Sequence, residues 1–216
     1  MKTYAESCNL QNLNHVLKQR LHYMIVPLDI NYGKRHVAVL TPSQWLAIKK
    51  ELNPEYQIRF EFLLQTCMRI TEAKYVSEHP EYFREENGAI FLPRVEGLGK
   101  VKCKNKHRQI MLSPSGISIV KELYEKKIKY LAYQNMEQVF KRAARDADID
   151  TKYIMTKVLR KTMVSWLMAC YPERQEQIAF SAGHDYNTMR AHYLTFGWRK
   201  EDVADMRVYV KGWGEA

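Results

Sequence analysis

Apolar residues recur every three to four positions over most of this chain, the period of helices with one buried face. A first such run covers Leu10 to Tyr23, and a segment around Pro27 and Gly33 follows without a clear period. Leu40-Thr41-Pro42-Ser43 reads as a helix start, with Thr41 as N-cap and Pro42 in the first turn. The helical period continues through Trp45, Ile48 and Leu52, and again from Ile58 to Met68. The texture then changes. Ala89-Ile90-Phe91-Leu92 and Arg108-Gln109-Ile110-Met111-Leu112 are strand-like, and the stretch between them carries Gly97, Gly99, Lys100, Lys102, Lys104 and Lys106. That pattern predicts a small β-sheet with an exposed hairpin. Ser113-Pro114-Ser115 opens the next helix, and helices are predicted over about 115–132, 135–148, 156–170, 173–182, 186–196 and 199–210. Gly183 suits the end of one of these helices and Asp185 the cap of the next. The expectation is a mainly α protein with a small antiparallel β-sheet, an α+β fold.

Composition narrows the class. The chain has 216 residues, 46% of them apolar, which is enough to build a sizeable core. Lysine and arginine outnumber the acids 34 to 24, a formal charge of +10. An excess of that size fits a polyanionic partner, because cations placed on phosphates release condensed counterions. The four cysteines, at 8, 67, 103 and 170, form no CxxC pair, which implies reduced thiols and no zinc site. The seven histidines show no metal-binding spacing. The early apolar stretch from Met24 to Leu28 is too short to span a membrane or to serve as a signal core. The expectation is a soluble, cytoplasmic protein with no membrane partner.

Cutting a phosphodiester without a metal demands a particular set of groups. Cations must neutralise the non-bridging oxygens, a nucleophile must attack in line, and an acid must protonate the leaving sugar oxygen. Paired arginines suit the first task, since a planar guanidinium forks onto phosphate oxygens and stays charged. A tyrosine nucleophile keeps the bond energy in a covalent phosphate ester, so rejoining needs no ATP. Four motifs supply such groups: Thr66-Cys67-Met68-Arg69-Ile70-Thr71-Glu72, Leu159-Arg160-Lys161-Thr162, Ala182-Gly183-His184, and Tyr193 nine residues beyond His184.

In that order these motifs resemble the tyrosine recombinase (phage integrase) family, whose boxes read close to T-G-x-R-x-S/T-E, L-R-H-T and L-G-H. The resemblance runs from about residue 41 to the C-terminus and implies the tyrosine recombinase catalytic-domain fold over 41–216, with 1–40 as a short N-terminal extension. It implies that Arg69 and Arg160 hold the scissile phosphate, that His184 adds a hydrogen bond to it or steadies the transition state, and that Tyr193 forms a 3′-phosphotyrosyl link. Glu72, one helical turn from Arg69, is read as bracing that arginine. The family's hairpin lysine corresponds to Lys102 or Lys104, which alternation puts on one face of a strand; counting back from Arg108 slightly favours Lys102. Lys157 stands where the family usually has histidine, three residues before the second arginine. It keeps the charge but is a poorer base near neutral pH, so altered proton handling is expected.

DNA contacts are expected from Lys106 and from the 135–148 helix. There Met136, Val139, Phe140 and Ala143 face a core while Lys141, Arg142 and Arg145 fall on or near the other side. The tail from Arg199 to Tyr209 carries an apolar stripe of Val203, Met206 and Val210. That stripe packs either on its own domain or, as often in the family, on a neighbouring subunit. The resemblance implies double-stranded DNA as partner, self-association as a dimer or tetramer on it, and no metal or nucleotide cofactor. The tail also resembles integrases of archaeal viruses and plasmids, which implies integration of a mobile element. Two other activities are compatible with the same residues: type IB topoisomerase-like nicking and relaxation, and non-catalytic regulation by a recombinase-derived DNA-binding protein.

Overall fold

The computed structural model describes residues 38–93, 107–184 and 198–215. The expected helices at Leu10–Tyr23 and 186–196, the unassigned stretch around Pro27 and Gly33, the Asp185 cap and the lysine-rich hairpin with Lys102, Lys104 and Lys106 lie outside these residues, as does Tyr193.

Helix α1 (Pro42–Lys50) begins as its sequence dictates. The Thr41 hydroxyl accepts from the Gln44 backbone N–H at 3.3 Å, and the Gln44 side chain accepts from the Thr41 N–H at 2.9 Å, a reciprocal capping box. Helix α2 (Pro54–Thr66) starts on the cap Asn53, buries every residue from Ile58 to Thr66, and ends at Cys67 in the left-handed conformation, φ 52°. A short α3 (Ile70–Ser77) follows at once. Strands β1 (Phe83–Arg84), β2 (Ala89–Pro93) and β3 (His107–Met111) form an antiparallel sheet in the order β1-β2-β3, with Ile90 opposite Ile110 and Leu92 opposite Arg108. Helix α4 (Pro114–Glu125) is capped by the Ser113 hydroxyl, which accepts from Gly116 N–H at 3.1 Å. Helices α5 (Tyr133–Asp146), α6 (Lys157–Cys170), α7 (Gln175–Ala182) and α8 (Lys200–Val210) complete the described chain.

Helix α2 is the axis of the fold and packs on α4 and α6. Trp45, Phe60, Phe62, Phe140 and Trp166 are fully enclosed in one continuous core, and each such side chain contributes roughly 1.5–3 kcal/mol by leaving water. Thr162 Oγ1 accepts from the Leu40 N–H, and Trp166 Nε1 donates to the Leu40 carbonyl, which ties the start of the described chain to α6. Helix α8 buries Met206 and Val210 against α6 and α1 of its own chain, and Tyr171 donates to the Val210 carbonyl at 2.9 Å. The tail stripe, for which two partners were open, is thus used at these positions within the domain.

The mainly helical architecture with a small antiparallel sheet agrees with the sequence reading, and two element boundaries do not. The helix expected over 115–132 stops at Glu125. Lys127 turns left-handed at φ 50°, and Ile128 and Tyr130 are then buried at alternate positions, as extended chain places them. The helix expected from 173 opens as a single 3-10 turn, Pro172–Arg174, before α7. Helix α3 and strand β1 were not anticipated at all.

Candidate active site

Four separate elements converge on one buried carboxylate. The left-handed turn at Cys67 swings the chain from α2 into α3 and leaves Arg69 as the N-cap residue, with Glu72 three positions on. Glu72 reaches back: its Oε2 accepts the Arg69 backbone N–H at 2.8 Å, and its Oε1 accepts Arg69 Nη1 at 2.8 Å. The pair is asymmetric in exposure. The Arg69 side chain is 49% exposed and Glu72 only 6%, so the guanidinium faces solvent while the carboxylate anchors it from below.

Arg160 enters from α6 and is almost wholly buried. Its Nη1 donates to the Cys67 carbonyl at 2.8 Å, its Nη2 to the Ala182 carbonyl, and its Nε to Nε2 of His184 at 3.3 Å. Both carbonyls stand at the C-terminal ends of helices, α2 and α7, where the last peptide oxygens lack helical partners and the dipole is negative. The guanidinium therefore satisfies two helix ends and is fixed by them. Its Nη1 is also 3.8 Å from Glu72 Oε2.

Helix α7 ends at Gly183, φ 64°, which directs His184 into the cluster; the His184 N–H donates to the Ala179 carbonyl at 2.9 Å. Strand β3 packs on α7 and delivers a third guanidinium. Arg108 Nη2 donates to Glu72 Oε2 at 2.8 Å and Nη1 to Oε1 at 3.3 Å, with the side chain 13% exposed.

These neighbours set the protonation states. Burial alone would raise the Glu72 carboxyl. The charge and hydrogen bond of Arg108, the Arg69 N–H and the charge of Arg160 outweigh it and hold the group at about 2. His184 is pushed down to about 3, first by burial and then by the charges of Arg160, Arg69, Arg108 and Lys161. It is therefore neutral at pH 7, and because Nε2 accepts from Arg160, its ring proton sits on Nδ1. Arg160 is lowered to about 10, first by burial and then by Arg108 and Arg69, and stays charged at neutral pH. Burial pushes the Cys67 thiol up to about 12, so Cys67 offers no thiolate as a competing nucleophile. Three guanidinium groups thus surround one carboxylate and one neutral imidazole. The surplus positive charge suits a phosphodiester, whose own charge spreads over non-bridging oxygens.

Of the residues singled out in the sequence, Arg69, Arg160 and His184 meet here, with Glu72 between the arginines. Lys157 is the first residue of α6, exposed, one helical turn before Arg160, and its side chain makes no hydrogen bond among the described residues. Its charge instead acts on Glu137 and Lys161. On α5, Arg142 and Arg145 are exposed opposite buried Met136, Phe140 and Ala143, whereas Lys141 is partly covered and paired with Glu137 at 2.9 Å. Arg108 was read only as part of a strand. Alternation along β3 puts it on the same face as buried Ile110, and a cation on an inward-facing strand position was the signal available. Among the described residues no three His, Cys, Asp or Glu side chains converge to hold a metal ion, and no helix is long and apolar enough to cross a membrane.

No protein-family model and no curated protein matches the sequence. Solved structures do match the fold. The chain is similar to XerA recombinase (TM-score 0.56, 11% identity, covering 83% of this chain and 65% of that one). It is similar to XerH site-specific recombinase bound to difH substrate in a pre-cleavage complex (0.54, 18%, 77% and 52%). A post-cleavage complex of XerH with a palindromic difH substrate matches as well (0.53, 15%, 71% and 48%). This chain therefore has the tyrosine recombinase catalytic-domain fold, and it spans less than two thirds of the length of each of these proteins.

Proposed function

We propose that this chain cuts and rejoins DNA strands in site-specific recombination, through a covalent 3′-phosphotyrosyl intermediate on Tyr193. One observation carries the reading: Arg69, Arg160 and His184, far apart in sequence, are joined by hydrogen bonds and an ion pair into a single cluster around Glu72 on a recombinase fold.

In this mechanism Arg69 makes the outer contact with the scissile phosphate. Only one of its five side-chain N–H donors is taken up by Glu72, and the side chain is half exposed. Arg160, held by the Cys67 and Ala182 carbonyls, offers its remaining donors from below, and neutral His184 adds a hydrogen bond. The Tyr193 oxygen attacks phosphorus as its proton passes to water. The bond from phosphorus to the 5′ oxygen breaks, and that oxygen takes up a proton from Lys102 or Lys104. The clamp neutralises charge on the non-bridging oxygens throughout. Rejoining is the reverse attack by a 5′ hydroxyl, with no loss of bond energy. Lys157 tunes proton transfer from the start of α6.

Residues 41–216 form the catalytic domain and 1–40 an extension. Lys106, Lys141, Arg142 and Arg145 hold double-stranded DNA by its phosphates, and copies assemble on DNA as a dimer or tetramer in the cytoplasm. Integration of a mobile or viral genome is the biological setting that the tail sequence favours.

The test supplies many target sites at once. A pool of randomised duplexes, nicked next to the randomised positions, is incubated with the protein in EDTA and washed in detergent, and the DNA still attached is sequenced. A shared motif recovered by wild type and not by Tyr193→Phe is the expected result. Recovery that requires magnesium, or that is equal in both proteins, would overturn the proposal.

A further inference from the structure

We propose that Arg108 is a positioning residue for the phosphate clamp: it occupies the Glu72 carboxylate so that Arg69 and Arg160 keep their charge for the ligand. The inference rests on the phosphate-clamp reading above. Arg108 is too buried to be the main ligand contact, and its two terminal nitrogens both point at Glu72. It therefore acts through that carboxylate.

Without Arg108, Glu72 would keep, among the described residues, only the Arg69 contacts and Arg160 at 3.8 Å. A buried carboxylate short of partners either takes up a proton or draws the nearest guanidinium into closer contact. In the second case the guanidinium withdrawn belongs to the clamp, and the carboxylate competes with phosphate for it. The surplus of cations over anions around the site also falls from two to one.

Two further features show that the fold holds Arg108 in place. Arg108 Nε is buried with no hydrogen-bond partner among the described residues, a desolvated donor retained at a cost. Gly183 leaves its Cβ position empty, and the Arg108 guanidinium lies against that space, its Nη1 also 3.5 Å from the Ala182 carbonyl. Strand β3 is thereby locked to the helix end that carries His184.

The test combines two measurements on wild type, Arg108→Met, Arg108→Lys and Arg108→Met/Glu72→Gln. Carboxyl carbon NMR follows the Glu72 titration, and fluorescence anisotropy follows affinity for a labelled random-sequence duplex. In Arg108→Met the Glu72 proton affinity should rise at least about tenfold and duplex affinity should fall about tenfold. Adding Glu72→Gln should restore most of that loss, because the competing charge is gone. Arg108→Lys, which keeps the charge without the fork, should lie between and serves if Arg108→Met does not fold. A Glu72 titration unmoved by removal of Arg108, or a double variant that binds no better than Arg108→Met, would overturn the inference. Wild type with no affinity for duplex would count against the clamp reading instead, and the Glu72 titration would still decide the role of Arg108.

Discussion

The backbone of Gly183 lies against the guanidinium of Arg108 with no room for a β-carbon between them. A Cβ there would collide with Arg108 Nη1 and stand 2.9 Å from its Cδ, on a residue whose φ is already +64°. Gly183→Ala should therefore cost more than the roughly 1–2 kcal/mol of left-handed strain alone, about 3 kcal/mol in all. Urea denaturation measures this. Arg108→Ala in the same chain should remove the collision, so the double variant should be less destabilised than the two single losses added together. Strict additivity would show that the contact does not shape the site.

Arg69 and Arg160 should separate stability from chemistry. Arg69 is half exposed, and its removal should change stability by about 1 kcal/mol or less. Arg160 is buried and supplies donors to the Cys67 and Ala182 carbonyls, so Arg160→Ala should cost roughly 3 kcal/mol or more. Both should lower DNA cleavage at least about a hundredfold. Thermal melts beside cleavage rates check the contrast. Equal stability losses would mean that Arg160 is not the structural member of the pair.

Acid should weaken the fold at two groups with the same sign. Free histidine takes up a proton near 6.5, whereas His184 in the folded chain does so only at about 3. Between those values the unfolded state binds more protons, so the stability linked to His184 is complete above pH 6.5 and is lost as pH falls toward 3. The Glu72 contribution is complete above pH 4.5 and is lost as pH falls toward about 2. Wild type should lose roughly 2 kcal/mol more than His184→Asn between pH 7 and pH 5. Urea midpoints at the two pH values measure this, and parallel losses would refute the burial of a neutral imidazole.

Much of this architecture was legible because its signals are local. Thr41-Pro42 and Ser113-Pro114 announce helix starts through a capping oxygen and a ring that needs no N–H, and Gly183 announces an end. The arginine and histidine boxes were legible as motifs. What they share was not, since the meeting of Arg69, Arg160 and His184 at Glu72 depends on packing among α2, α6 and α7. Helix α3 escaped notice because its eight residues bury only Glu72, Ala73 and Val76, too short a stripe to set a period. Strand β1 has two residues and is defined by its partner alone. Ile128 and Tyr130 look like a continuation of α4, and only the left-handed Lys127 shows that the chain has turned. Arg108 was hidden by its neighbours, a cation in a lysine-rich region whose inward direction becomes informative only once Glu72 is known to lie opposite.

The basic face of α5 should be read by salt. Arg142 and Arg145 are exposed, and each replacement by alanine should reduce the slope of log affinity against log salt by about 0.9. Lys141 is already paired with Glu137, so Lys141→Ala should change the slope less. Anisotropy titrations on one duplex at several salt concentrations suffice. Unchanged slopes for both arginines would remove α5 from the DNA interface.

The central claim is a tyrosine ester formed under an arginine clamp, and trapping tests it most directly. A duplex nicked beside the scissile phosphate lets the freed strand diffuse away, so cleavage leaves protein attached to DNA on a denaturing gel. Wild type should give this adduct in EDTA, with the link mapped to Tyr193, while Tyr193→Phe gives none and Arg69→Ala far less. An adduct that persists in Tyr193→Phe, or strand cleavage that leaves no protein on the DNA, would contradict the account.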